Sequence, residues 1–208
     1  MKIKMQLLLL VLVSATIGQV KSKPALPPCR PLFDGVSLTH WIVPSFGGEG
    51  MVTVKDSSLI LGVGEGCTGV TYTAPFPKMN YTVSLDAMRV DGSDFFCGVT
   101  FPVNESPCTL IIGGWGGSII GLSSIDGQDA SDNQTSTWET FENQRWYHIE
   151  LRVTPDAIQA YIDGKRYIDF ETTDHTLSIR REVTLSKPFG FTSWKTTAAL
   201  RNICVREY

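Results

Sequence analysis

From Leu38 onward, apolar and polar residues recur with period two rather than the helical period of about 3.6. Tyr81, Val83, Leu85 and Ala87 alternate with Thr82, Ser84, Asp86 and Met88. Tyr147, Ile149, Leu151 and Val153 alternate in the same way with His148, Glu150 and Arg152. Successive side chains of a strand point to opposite faces, so each segment reads as a strand with one buried side. Turn chemistry separates the segments. Asp56-Ser57-Ser58 joins Met51–Lys55 to Leu59–Leu61, and Asp163-Gly164 joins Ala157–Ile162 to Tyr167–Phe170, a pair whose positive φ suits the twist of a tight hairpin. The runs Phe95–Phe101 and Cys108–Ile112 flank a polar loop with Pro102, Asn104 and Pro107, a further hairpin. The last run, Ala199–Val205, alternates again, and no stretch has the pattern of a long amphipathic helix. The expectation is an all-β chain folded as a two-sheet antiparallel β-sandwich, with its first and last strands adjacent.

The first residues depart from this pattern. Lys2 and Lys4 precede the unbroken apolar run Leu7–Val13, too short to span a bilayer, with Val20 and Ser22 placed for cleavage before Lys23. Residues 1–22 therefore read as a signal peptide, residues 23–31, rich in proline, as a linker, and residues 32–208 as a single domain of secreted or periplasmic location. A net charge of −3 and a pI near 5.6 offer no basic patch for nucleic acid, and no second apolar run suggests a membrane span. The oligomeric state is left open. Five cysteines are an odd number for an exported chain. Cys97 with Cys108 and Cys29 with Cys204 are the pairs the spacing offers, with Cys67 left over; unbridged buried thiols fit equally well. Asn80-Tyr81-Thr82 and Asn133-Gln134-Thr135 match the N-glycosylation acceptor pattern.

The chemistry concentrates between Ser93 and Trp138. Gly113, Gly114, Gly116 and Gly117 surround Trp115, leaving the indole as the only bulk where a ligand approaches the backbone. A polar loop with Asp126, Asp129 and Asp132 follows. A flat aromatic packs on the apolar face of a sugar ring and carboxylates accept its hydroxyl protons, so Trp115, Asp126, Asp129 and Asp132 are candidate carbohydrate-binding residues. The same acids are hard oxygen donors suited to Ca²⁺, although they lack the EF-hand pattern; no other cofactor is expected. His40, His148 and His175 stand at no metal-ligand spacing and read as surface or structural residues. Trp41, Trp146 and Trp194 fall in or beside strand signals and read as core, whereas Trp138 fits no apolar phase.

Leu32-Phe33-Asp34-Gly35 followed by Leu38 and Trp41, the hairpin after Trp146, and the closing Leu200-Arg201-Asn202-Ile203 with Arg206-Glu207 resemble the 3-keto-disaccharide hydrolase domain family. The resemblance spans nearly all of the chain after the leader. It implies a concanavalin A-like lectin or glucanase fold, with sugar on the concave face, and cleavage of glycosides whose C3 hydroxyl has been oxidised to a ketone. Such a reaction needs a base, an acid for the leaving oxygen and a group polarising the ketone, not the paired carboxylates of ordinary glycosidases. The family's Glu-x-Arg is matched approximately by Asp86 and Arg89, one residue further apart, which makes Asp86 the candidate base and Arg89 the candidate polarising cation. The acids expected on a later strand are absent from Thr109–Gly114, and Trp194-Lys195 stands where the family often has a histidine. A non-catalytic carbohydrate-binding or adhesion domain on the same sandwich is the alternative.

Overall fold

A computed structural model describes residues 26–208, so the expected signal peptide, residues 1–22, lies outside the described residues. The strands are β1 (Arg30–Pro31), β2 (Trp41–Ile42), β3 (Val52–Lys55), β4 (Ser58–Leu61), β5 (Cys67–Tyr72), β6 (Tyr81–Asp91) and β7 (Cys97–Val103). They continue with β8 (Ser106–Gly113), β9 (Ile119–Ser123), β10 (Thr137–Trp138), β11 (Trp146–Val153), β12 (Ala157–Ile162), β13 (Lys165–Glu171), β14 (Gly190–Trp194) and β15 (Thr197–Glu207). Every pairing is antiparallel. One sheet runs β13-β12-β11-β6-β15-β4-β3 with β1 beside β15, and the other runs β10-β9-β8-β7-β14-β5-β2. The expected sandwich is the observed one. Arg30 pairs with Val205, so the first and last strands are neighbours.

Alternation sets which residues meet between the sheets. Val83, Leu85 and Ala87 of β6 and Ile149, Leu151 and Val153 of β11 are fully buried on one side. Val99 and Phe101 of β7, Leu110 and Ile112 of β8, and Phe191 of β14 meet them from the other sheet within one continuous core. Each of these side chains larger than alanine stabilises the fold by about 1.5–3 kcal/mol. Trp41, Tyr72, Phe76, Phe189 and Phe191 pack as an aromatic cluster, with Phe76 stacked on Phe189 at 4.0 Å between ring centroids. The buried Tyr81 hydroxyl donates to the Pro102 carbonyl at 2.6 Å, a bond between the two sheets. Trp41 donates its Nε1–H to the Leu32 carbonyl at 2.8 Å. Asp34 accepts the Val36 and Ser37 amides, and Gly35 turns at φ 76°. The opening motif is thus a turn held over a core indole.

The cysteines resolve into one bridge. Cys29 and Cys204 are disulfide-bonded, while Cys67, Cys97 and Cys108 are free and buried. The Cys97–Cys108 pair fails because of register: Cys97 lies opposite Ile112, and Cys108 lies opposite Phe101. The two thiols are thus four residues apart along β7, about 13 Å at strand rise. Residues 29–31, assigned to the linker from their prolines, belong to the sheet through this bridge and β1. Asn133 is buried and donates to the Leu122, Gln128 and Asp129 carbonyls, so in the folded chain it is closed as a glycan acceptor; Asn80 is exposed. No helix among the described residues is long and apolar enough to cross a membrane.

Candidate functional site

The face of the β10–β2 sheet that turns away from the core carries the candidate site. Along β8 the buried Leu110 and Ile112 point inward, so Thr109 and Ile111 point out; Ser123 lies opposite Thr109 on β9. On β14, Phe191 faces the core and pairs with Val70, which turns Trp194 outward, directly opposite Cys67. A two-turn 3-10 segment, Arg181–Ser186, straps across this face, its Leu185 carbonyl accepting the Thr71 hydroxyl at 2.7 Å. Between strap and sheet lies a cleft of about 220 Å³, with Trp115 and Trp194 as its indoles, Asp94 and Glu182 as its acids, and Arg180 as its cation.

Trp115 owes its position to the glycines. The turn Gly114–Gly117 runs through left-handed backbone at Trp115 (φ 49°) and Gly116 (φ 87°), so it is a tight reversal between β8 and β9 rather than a helix. Two side chains clamp it. Asp94 accepts the Gly116 amide at 3.2 Å with one oxygen and the Phe95 amide at 2.7 Å with the other. Arg89 donates to the Gly117 carbonyl, the Phe141 carbonyl and Asn143 Oδ1. Trp115 stays 42% exposed as a result, available to a ligand rather than packed in the core.

On the opposite wall, Arg180 donates from Nη1 to Asp129 at 2.5 Å and from Nη2 to Glu182 at 2.9 Å. The hydrogen bond from Arg180 holds the Glu182 carboxyl below the usual glutamate range, so it is ionised at neutral pH. Glu182 in turn raises the Arg180 pKa. Burial, followed by the charge of Glu182, pushes the Cys67 thiol up to about 12 and keeps it protonated.

The residues expected from sequence divide between this cleft and other places. Trp115 lines it. Asp129 reaches it only through Arg180 and the Ser123 and Ser124 hydroxyls. Asp126 faces His175 and the Thr176 amide, and Asp132 is bonded to Ser131. The three loop acids therefore do not converge, and among the described residues no three acid, histidine or cysteine side chains stand close enough to hold a metal ion. Asp86 and Arg89 are not brought together either. Three residues apart on β6 without a bulge between them, they point to opposite sides: Arg89 is buried beneath the glycine turn. Asp86 lies on the outer face of the other sheet, bonded to His148 at 2.8 Å, Asn202 at 2.7 Å and Arg201 at 3.4 Å. Trp146, expected in the core, is on that same outer face under the Arg201 guanidinium, 3.9 Å from its ring centroid. Trp194, also expected in the core, lines the cleft instead, together with Asp94, Glu182 and Arg180, which sequence reasoning does not single out. For Trp194 the signal was present, since Phe191 inward places Trp194 outward by parity. For Glu182 it was the charged Arg180–Glu182 stretch in a chain otherwise made of strands.

A two-sheet antiparallel sandwich is shared with several solved structures. A protein of unknown function with a galectin-like fold from Bacillus subtilis superposes with a TM-score of 0.61 at 12% identity, over 89% of this chain and 97% of its own. A putative glycosyl hydrolase from Parabacteroides distasonis gives 0.54 at 10% identity, over 85% and 92%. The carbohydrate-binding module CBM66 from Bacillus subtilis gives 0.52 at 13% identity, over 81% and 96%. At these identities the likeness establishes the fold. The chain belongs to the 3-keto-alpha-glucoside-1,2-lyase-like domain family, whose model matches residues 28–206. No curated protein matches the sequence.

Proposed function

We propose that this chain is an exported carbohydrate-active protein that holds a sugar ring in the cleft between Trp115 and Trp194 and cleaves a 3-keto-glycoside there. The observation that carries the reading is the cleft itself: two indoles, two carboxylates and a guanidinium on one face of a family member's sandwich. Stacking on indole and hydrogen bonding to charged groups are complementary to a ring with one apolar face and a hydroxylated edge. The Cys29–Cys204 disulfide supports an oxidising, exported setting.

In this reading Glu182, ionised and fixed by Arg180, removes the proton at C2, which the neighbouring C3 ketone makes acidic. The freed electron pair forms the C1–C2 double bond as the C1–O bond breaks. The leaving oxygen takes a proton from solvent, releasing an alcohol and an enone sugar; in a hydrolysis, water then adds across that double bond. N–H groups of Arg180 beyond its two carboxylate bonds are the donors for the ketone oxygen. Asp94, tied to the glycine turn, accepts substrate hydroxyls.

One observation favours a second reading, a non-catalytic sugar-binding module. Where the family resemblance leads one to expect acids, β8 offers the cleft Thr109 and Ile111. Incubation with methyl 3-keto-α-glucoside separates the two. Turnover releases methanol whether or not water adds, and leaves a conjugated enone with ultraviolet absorbance where it does not; Glu182→Gln is expected to abolish methanol release while leaving binding within about twofold. Trp115→Ala is expected to weaken binding by about 1–2 kcal/mol in either reading. Binding without turnover in the parent protein leaves the module reading, and the absence of both defeats the cleft as a sugar site.

A further inference from the structure

The glycine turn has two sides. Trp115 faces the cleft, while Gly116 and Gly117 border a second, more open depression of about 540 Å³ with Ser93, Ser118, Thr140 and Glu142 on its walls. Arg89 lies at its base and is 7% exposed. An arginine exposed so little ordinarily sits against a carboxylate. Here its acceptors are all uncharged: the Gly117 carbonyl, the Phe141 carbonyl and Asn143 Oδ1. Among the described residues, none brings a carboxylate within ion-pair distance of it.

The bonding is also incomplete. A guanidinium has five N–H groups. The three bonds use one on each nitrogen, which leaves one N–H on Nη1 and one on Nη2. Burial draws the Arg89 pKa below its ordinary value, partly offset by the charges of Tyr147 and Asp94. Neither acid nearby supplies the missing partner. Asp94 is committed to the Phe95 and Gly116 amides, and Glu142 is exposed at the rim.

We propose that this depression is a second subsite that takes the carboxylate of a uronic acid unit joined to the ring held in the cleft. The inference rests on the carbohydrate reading above, with one acidic glycan crossing the glycine turn. Arg89 supplies the counter-charge and two spare donors, a match to the two oxygens of a carboxylate. The wall hydroxyls of Ser93, Ser118 and Thr140 suit the hydroxyls of the same sugar. Gly116 and Gly117 keep the passage between the two depressions free of side chains.

The test is amide NMR of the folded chain titrated with sodium glucuronate, with glucose and sodium acetate at matched ionic strength as controls. Glucuronate is expected to shift the Gly92, Gly116, Gly117, Ser118 and Asn143 amides saturably, and the two controls to leave them in place. Arg89→Gln is expected to weaken this response by about tenfold or more, the loss of a charge-assisted bond. Because Arg89 also clamps the turn, Ser118→Asp provides a second variant: it leaves Arg89 in place, puts a competing carboxylate on the wall, and is expected to abolish the response. No shifts at these amides, shifts indifferent to both variants, or acetate as effective as glucuronate would overturn the proposal. Methyl 3-keto-α-glucoside added to the same sample reports on the cleft through Ile111 and Trp115. A responding cleft beside a silent depression sinks the subsite alone; a silent cleft sinks the carbohydrate reading and the shared glycan with it.

Discussion

Asp86 shows how a single residue's role follows from the face it occupies. Burial works to raise its pKa, but hydrogen bonds from His148, Asn202 and Arg201 outweigh that and hold the carboxyl below its ordinary 3.8. The folded chain then binds this proton less readily than the unfolded one. The network's stabilisation is therefore present above the unfolded pKa, near about 4, and is lost as pH falls through the folded value. Asp86→Asn is expected to cost about 1 kcal/mol at pH 7, with the gap to the parent narrowing as pH falls below about 4, in urea denaturation at a series of pH values. Turnover or sugar binding in the cleft should be unaffected, because Asp86 belongs to the other sheet. The closing Arg201-Asn202 also finds its meaning here. Asn202 sits in left-handed backbone (φ 54°) at a bulge in β15, which brings both side chains of the pair onto Asp86. A family-like motif legible in sequence is thus a brace, and its proximity to Asp86 was invisible because 115 residues separate Asp86 from Arg201.

At the scale of elements, the glycine turn invites a graded test. Both Gly116 and Gly117 have positive φ, but a Cβ on Gly116 would meet nothing within 4 Å, whereas one on Gly117 would lie 2.7 Å from the Ser93 carbonyl oxygen and 2.9 Å from Arg89 Nη1. Gly116→Ala is therefore expected to cost about 1 kcal/mol of backbone strain. Gly117→Ala is expected to cost about 2–3 kcal/mol and to weaken sugar binding as well, because the displaced turn carries Trp115. Thermal melts and a binding titration of the two variants check the order. The strands were readable because alternation is a local signal: the hairpins β3–β4 and β12–β13 stand where the apolar runs and turn residues put them. The β7–β8 hairpin closes more tightly than its prolines suggest, with Pro102 paired to Pro107 around a turn at Asn104-Glu105 instead of a long polar loop. The cleft was not readable, because its second wall comes from the strap at Arg181–Ser186, which crosses β5 from more than a hundred residues away. Parity alone would have separated Asp86 from Arg89, since side chains three apart on an unbulged strand face opposite ways. The family spacing suggested a pair that β6 does not make.

For the molecule as a whole, the Cys29–Cys204 bridge closes a loop 175 residues long around nearly the entire domain. Constraining so long a loop in the unfolded chain stabilises the fold by about 2–5 kcal/mol. Reduction is expected to lower the denaturation midpoint accordingly, while Cys67, Cys97 and Cys108 resist alkylation until the chain unfolds, being buried and protonated. The bridge sits beside β1, a strand of only two residues whose partner β15 lies mid-sheet, so it secures the start of the chain where few backbone bonds do. It also means that the sandwich is close to a ring, since the Cα atoms of Cys29 and Cys204 are 5.7 Å apart. The order in which the strands are synthesised is then nearly arbitrary. A circular permutant that joins the ends by a short peptide and opens between Gly164 and Lys165, at an exposed hairpin tip, should fold with the same amide spectrum away from the cut, and without needing the disulfide at all.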